Sequence, residues 1–342
     1  MKVLLTSHVE HYTLGMAQFL AEYVNLWVLS TIRLKNFSKQ LIIPNIRKVK
    51  GVLRILTLKT LPKLFDVVHA NDSKSGLLTS TYDKLIVTEH GWPDPNSQHE
   101  SARRYYLEEM RALLSLYEIG VPIVTISTFA ARMLREKFGV KVYKVIYHGL
   151  LKCFRTKTPR TLSRRTPTIL WVSRLIPSKE PNVLLDALKI LNDQYKLNFR
   201  VIIRGDGPLK GMMQSKIRKF GLTNKVSFIG RVPFNALPRL YKSATILVHT
   251  SSYEPFGFCV LEAMGMALPV IVPRYGGAYE VAGSAAISFN PHDALDLAEK
   301  IFTCLQNSEN YYNFSLKSLE RSKLFTWSRA AMEYLEIYKK FL

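Results

Sequence analysis

The 342-residue sequence is 47% hydrophobic and 22% charged, the balance of a globular chain long enough for about two domains, and not of a disordered one. Its 48 Lys and Arg against 26 Asp and Glu leave a formal net charge of +22, which attracts polyanions (nucleic acid, anionic lipid, phosphorylated substrate) without choosing among them. No apolar run approaches the ~18 residues of a membrane span, the start MKVLLTSHVEHYTLGM is too polar after Leu5 for a signal peptide, and Cys153, Cys259 and Cys304 are too scattered for a disulfide framework or a metal knuckle; a reducing, cytoplasmic setting is the expectation.

Residues 2–6 read as a buried strand and 14–23 as the helix after it, with His8 and His11 in the loop between. From Val24 to Phe65 no residue is acidic, while nine cations between Arg33 and Lys63 alternate with Leu, Ile and Val. Within this stretch NIRKVKGVLRILTLKTL fits an amphipathic basic helix, apolar on Ile46, Val49, Val52, Leu53 and Leu56. Such a helix either shows its cations to solvent or lies on an anionic membrane surface, and both readings stand. Strands are expected at 66–71 and 85–91, the second ending Thr88-Glu89-His90-Gly91. In a doubly wound sheet ligands bind beyond the carboxyl ends of strands, so these three side chains are expected to line a crevice. A helix at 101–116, a strand at 122–127, a helix at 130–138 and a strand at 142–147 complete a first domain, 1–151. Residues 152–167, KCFRTKTPRTLSRRTP, are basic, polar and aperiodic, and read as a linker. The second domain, 168–324, alternates cleanly: strand 168–172, loop SRLIPSKE, helix 181–195, strand 199–204 ending in Gly-Asp-Gly-Pro, strand 225–229 before Gly230-Arg231-Val232, and helix 237–243. Alternation of this length implies a parallel sheet covered on both faces. A last helix fills 325–342.

The stretch from 245 to 283 carries the chemistry. A strand at 245–248 leads into Tyr253-Glu254-Pro255-Phe256-Gly257, where Pro255 biases Glu254 towards an extended conformation. A helix starts near Gly257 and runs to Met266; a Pro-led strand, 269–273, and the tight Gly276-Gly277 loop follow. Such a strand–loop–helix unit aims backbone N–H groups and a positive dipole at the crevice, an anion site with Glu254 at one end and Glu262 at the other. The pattern Glu254-Pro-Phe-Gly-Phe-x-x-x-Glu262, with Pro269 and Gly276-Gly277 after it, resembles the retaining glycosyltransferases of family 4. The resemblance implies an α/β GT-B fold: two Rossmann-like, doubly wound domains facing a central cleft, with the final helix returning towards the first. The chain departs from the family pattern at Ala267, where Gly is usual and Gly265 comes earlier; in the loop after the first strand, whose lone glycine is Gly15; and at His148-Gly149, where Asn-Gly is commoner.

By the same resemblance, Arg174 and Lys179 bind a diphosphate. Glu254 meets the donor sugar and supports charge developing at its anomeric carbon, and Glu262 accepts from ribose hydroxyls. Backbone groups at Gly257 and Phe258 meet sugar and phosphate, Arg231 and Val232 flank the base, and His90 sits beside the transferred sugar. A departing diphosphate must meet positive charge; the sequence holds no Asp-x-Asp, and side-chain cations with a helix N-terminus are the other way to supply it, so no metal or other cofactor is expected. Retention of configuration lets the leaving phosphate act as base, without the second carboxylate of a retaining hydrolase. The function expected is metal-independent, retaining transfer from a UDP- or GDP-linked sugar to a glycan or lipid-linked acceptor, with residues 33–63 as a contact for an anionic membrane surface. A GT-B-type phosphorylase or epimerase is a second enzyme reading. A basic nucleic-acid-binding protein is the non-enzymatic one; against it, the aromatics do not interleave with the basic stretches as a stacking platform requires, so no nucleic-acid partner is expected.

Overall fold

The computed structural model describes residues 1–7, 10–30, 40–42, 61–91 and 100–342. The chain divides into two compact units, one built from residues 1–92, 101–149 and 325–342, the other chiefly from 150–324. The basic stretch read as an amphipathic helix, 45–61, lies outside the described residues apart from Leu61.

The first unit runs β1 (Lys2–Ser7), α1 (Glu10–Leu20), β2 (Asn25–Ser30), β3 (Gln40–Ile42), β4 (Val67–Ala70), α2 (Ser73–Leu78), β5 (Leu85–Glu89), α3 (Glu100–Glu118), β6 (Ile123–Thr125), α4 (Thr128–Phe138) and β7 (Lys144–Val145). Its strands form one sheet in the order β3-β2-β1-β4-β5-β6-β7, every pairing parallel. β4 and β5 are buried along their whole length, as strands covered on both faces must be. α1 begins four residues before its expected start, at Glu10, whose charge complements the positive end of the helix dipole.

In the second unit the order is β8 (Thr168–Val172), α5 (Pro181–Asp193), β9 (Arg200–Arg204), α6 (Lys210–Lys219), β10 (Val226–Gly230), α7 (Leu237–Ser243), β11 (Ile246–Val248), α8 (Phe258–Gly265), β12 (Val270–Pro273), α9 (Gly277–Ala282), β13 (Ala286–Phe289), α10 (Ala294–Gln306) and α11 (Ser308–Ser322). Six strands pair in parallel as β10-β9-β8-β11-β12-β13. Leu184, Leu188 and Leu191, at helical spacing on α5, are fully buried with Phe199, Ile203 and Ile301 of the core below. Each such side chain contributes roughly 1.5–3 kcal/mol by leaving water. The strand order reverses between β8 and β11, so the loops leaving these neighbours diverge and open a crevice at the carboxyl edge of the sheet. That edge carries the site.

The chain ends with α12 (Trp327–Lys339), which belongs to the first unit and packs on α1. Thr326 caps it by accepting from the Arg329 N–H at 3.2 Å. Gly15 is where the two helices touch: a Cβ there would lie 2.3 Å from the Trp327 ring. Among the described residues no helix is long and apolar enough to cross a membrane.

Candidate active site

The loops after β8 and β11 are zipped together by consecutive residues. Thr250 Oγ1 donates to the Lys179 carbonyl at 2.7 Å and Ser251 Oγ to the Ser178 carbonyl at 2.7 Å, while Ser252 gives its N–H to Glu180 Oε1 at 2.9 Å. Trp171, in β8, donates its indole N–H to Thr250 Oγ1 at 3.0 Å and ties the zip to the sheet. Thr250 and Ser251 are each 1% exposed, so these bonds work in a shielded setting where an unmade one would cost about 1–3 kcal/mol. Glu180, the residue that accepts at the end of the zip, sits in left-handed backbone at φ 51°.

The zip sets Lys179 against Glu254. Lys179 Nζ stands 2.6 Å from Glu254 Oε2, with both side chains mostly buried. Burial alone would push the Glu254 carboxyl up, but Lys179, then His249 and Arg174, hold it below the usual carboxylate range. His249 lies beneath, 3% exposed, with Nε2 3.8 Å from Glu254 Oε2 and Nδ1 3.7 Å from the Cys259 sulfur. Burial lowers its pKa to about 4, so it is neutral at pH 7.

Gly257 turns the chain from Glu254 into α8. Its φ of +86° is left-handed, and a Cβ there would lie 2.8 Å from the Ala278 methyl, so only glycine fits. No side chain caps this end of α8, which leaves the N–H groups from Phe258 onward facing the loop that carries Glu254. One turn on, Glu262 accepts from Tyr241 Oη at 2.7 Å. Burial pushes the Glu262 carboxyl up to about 7, against the pull of the Tyr241 hydroxyl and then the Arg204 guanidinium. Arg204, the last residue of β9, donates through Nη2 to the Val232 carbonyl at 3.3 Å. Arg231 is exposed beside it.

Eight of the nine residues singled out in the sequence therefore lie in the second unit: Arg174, Lys179, Arg231, Val232, Glu254, Gly257, Phe258 and Glu262. Lys179, Glu254 and Arg174 form one electrostatic group, and Glu262 and Val232 are joined through Arg204. Sequence reasoning missed Tyr241, Arg204 and His249. Each ends or follows a run of ordinary helix or strand spacing, and nothing local marks its polar tip as belonging to the site.

His90 belongs to the first unit. It follows β5, bonds Asn71 Oδ1 through Nε2 at 3.0 Å, and packs edge-on against His148 with ring centroids 5.0 Å apart. Burial lowers its pKa to about 4, so the imidazole is neutral at pH 7. Its two predecessors do not line a crevice, contrary to the expectation from sequence. Thr88 is fully buried, held by His69 Nε2 at 2.7 Å and Tyr334 Oη at 2.9 Å; Glu89, 6% exposed, accepts from the Ser73 hydroxyl. The aromatic face of α12 makes the difference: Tyr334 and Tyr338 cover the strand end and use its polar groups for themselves.

Residues 155–320 match the model of a family described as glycosyl transferases group 1. The second unit belongs to that family. A glycosyltransferase of Methanocaldococcus jannaschii, itself uncharacterized, is 30% identical over 176 residues, which are 50% of this chain and 44% of that protein. The O-antigen chain mannosyltransferase B of Escherichia coli is 24% identical over 253 residues, 70% of this chain and 66% of the relative. The match thus spans less than two thirds of the length of either relative. Among solved structures, Anabaena HepE in complex with UDP-glucose superposes with a TM-score of 0.78 at 19% identity, over 99% of this chain and 100% of that one. A glycosyltransferase from Rickettsia africae gives 0.76 at 21%, over 99% and 98%. At such identities the likeness speaks for the fold. The glycosyltransferase family and both sheets agree on GT-B, two Rossmann-like units in one chain.

Proposed function

We propose that this chain is a retaining glycosyltransferase that needs no metal and moves a sugar from a nucleotide diphosphate donor, UDP- or GDP-linked, to a glycan or lipid-linked acceptor. The observation that carries the reading is the gathering of Lys179, Arg174 and Glu254 at the crest of one parallel sheet, beside an uncapped helix end. Cations and N–H groups fixed before the reaction stabilise charge that appears on a departing diphosphate without reorganisation. In this reading the diphosphate takes over Lys179 and Arg174, freeing Glu254 to meet the donor sugar and to support positive charge at its anomeric carbon. Glu262 accepts from the ribose hydroxyls through Oε1, since Tyr241 holds Oε2. Arg231 and Val232 flank the base. The role of His90, as a neutral hydrogen-bonding partner of the transferred sugar, belongs to the same proposal, and so does a membrane-surface contact through residues 33–63. HepE, solved with UDP-glucose, supports a nucleotide-sugar donor by its fold alone.

The test is a melting-temperature panel with UDP, GDP, ADP and their sugars, followed by labelled-sugar transfer. A ligand that binds only the folded chain raises its melting temperature, by an amount that grows with concentration. Glu254→Ala should keep its fold and lose transfer and donor hydrolysis; unchanged turnover in that variant would refute the proposal. Consumption of inorganic phosphate in place of an acceptor would point to the phosphorylase.

A further inference from the structure

Arg204 is a residue of this site to which neither the family pattern nor the chemistry of diphosphate departure gives a part. It closes β9, beside the loop that follows β10. Nη2 reaches the Val232 carbonyl at 3.3 Å, whereas Nε is buried and, among the described residues, has no hydrogen-bond partner. A buried guanidinium N–H without an acceptor is costly and seldom kept. An aliphatic side chain would close the strand without that cost, so the charge itself needs an explanation.

Glu262 supplies one. The groups facing its carboxylate are the Tyr241 hydroxyl from α7, the Cys259 thiol on its own helix, and the Cys153 thiol from the turn at Lys152–Phe154. Both thiols have their pKa raised, chiefly by burial, so they are neutral at pH 7. Among the described residues Arg204 is the one full charge that acts on Glu262.

We propose that Arg204 is a positioning residue for the nucleoside half of the donor: it fixes the Val232 carbonyl and sets a positive charge beside the carboxylate that receives the ribose hydroxyls. The two effects act on opposite sides of the nucleoside and leave the diphosphate to Lys179 and Arg174. Removing the guanidinium therefore weakens binding of a nucleoside diphosphate and spares binding of inorganic pyrophosphate. It also moves the pH at which affinity is gained, because Glu262, already pushed to about 7, loses the charge that holds it down. This inference rests on the donor reading above.

Calorimetric titration of the full chain with UDP, GDP and inorganic pyrophosphate, from pH 5.5 to 8.5, tests it on wild type, Arg204→Met, Arg204→Lys and Arg204→Gln. Wild-type affinity for the favoured nucleoside diphosphate should rise as pH passes about 7. Arg204→Met should weaken that affinity roughly tenfold at pH 7, shift the rise upward, and leave pyrophosphate unchanged. Arg204→Lys should restore the position of the rise; Arg204→Gln, which keeps a donor but no charge, should not. Equal losses for nucleoside diphosphate and pyrophosphate, or a rise that stays in place in both uncharged variants, would overturn the inference. If wild type binds pyrophosphate but neither UDP nor GDP, the donor reading fails first and the role of Arg204 with it. Should Arg204→Met fail to fold, the Gln and Lys variants carry the same comparison.

Discussion

Lys179 and Glu254, 75 residues apart, meet at 2.6 Å because Thr250, Ser251 and Ser252 bond one loop along the other. The cation assigned to a diphosphate is thus held, before any ligand arrives, by the carboxylate assigned to the sugar. Two consequences follow from the physics of a shielded pair. Its partners are mutually neutralised at low cost, and removing one leaves the other charge exposed to the desolvation it had escaped.

Lys179→Ala should cost about 1–3 kcal/mol of stability, because Glu254 keeps its shielded place and loses its nearest cation. Adding Glu254→Gln should recover much of that loss, and a double-mutant cycle by denaturant unfolding at pH 7 gives the coupling. The pH dependence has a definite sign. The folded Glu254 pKa is depressed, so the pair's contribution is complete above the ordinary 4.5 and fades as pH falls through the lower folded value. A cycle with no coupling at pH 7 would contradict this account of the pair.

Tyr241→Phe removes the hydroxyl that holds Glu262 Oε2 at 2.7 Å. Loss of one buried hydrogen bond of this kind is worth about 1–1.5 kcal/mol, so donor KM should rise roughly five- to tenfold. The ring stays as packing, and kcat should move little. Steady-state kinetics with the favoured donor decide it; a fall in kcat at constant KM would place Tyr241 elsewhere in the reaction.

The glycosyltransferase fold was legible because parallel strands buried on both faces read as unbroken apolar runs. β8 and α7 lie where the spacing put them, at 168–172 and 237–243. The donor side was legible because its residues sit next to breakers, Glu254 before Pro255 and Lys179 after Pro177. Ala267 shows the limit of pattern reading. It holds the place where glycine is usual and takes the left-handed conformation a glycine would take, φ 57°, so the turn closes as if the substitution had not occurred. Arg204, Tyr241 and His249 were illegible for another reason. Their neighbours across the sheet, not along the chain, decide where their polar atoms go. The first unit failed similarly: the ends of Thr88 and Glu89 are claimed by Tyr334 and Ser73, and no local spacing announces that.

Gly257→Ala puts a methyl into left-handed backbone and against the Ala278 side chain at 2.8 Å. The conformation costs about 1–2 kcal/mol and the overlap about 1–3. Adding Ala278→Gly should relieve the second contribution and leave the first. Melting curves of both variants separate the two, and equal stability of the single and double variants would show that the contact is not the cause.

The first unit should lose stability as pH rises above neutrality. Glu109, 5% exposed, is pushed up to about 8 by burial and then by the charges of Glu89 and Asp72, while burial raises Glu89 to about 7. Both release their protons near 4.5 in the unfolded chain, so their contribution is complete below that value and is lost as pH climbs through 7 to 8. His69 and His90 act in the opposite sense. They are buried neutral, with pKa values near 3 and 4, and favour the fold above 6.5; that contribution fades only as pH falls below 6.5. Between 6.5 and 8 these histidines no longer change and the carboxyls alone set the slope. Glu109→Gln keeps an acceptor for the Lys74 N–H, 3.3 Å from Oε2 in wild type, and carries no charge to bury. Its melting temperature should therefore decline less from pH 6.5 to 8.5 than that of wild type, with a gain on the order of 2 kcal/mol at the upper end. Parallel slopes in the two proteins would mean that Glu109 reaches water when it ionises, and that the buried pair does not store the proton assigned to it.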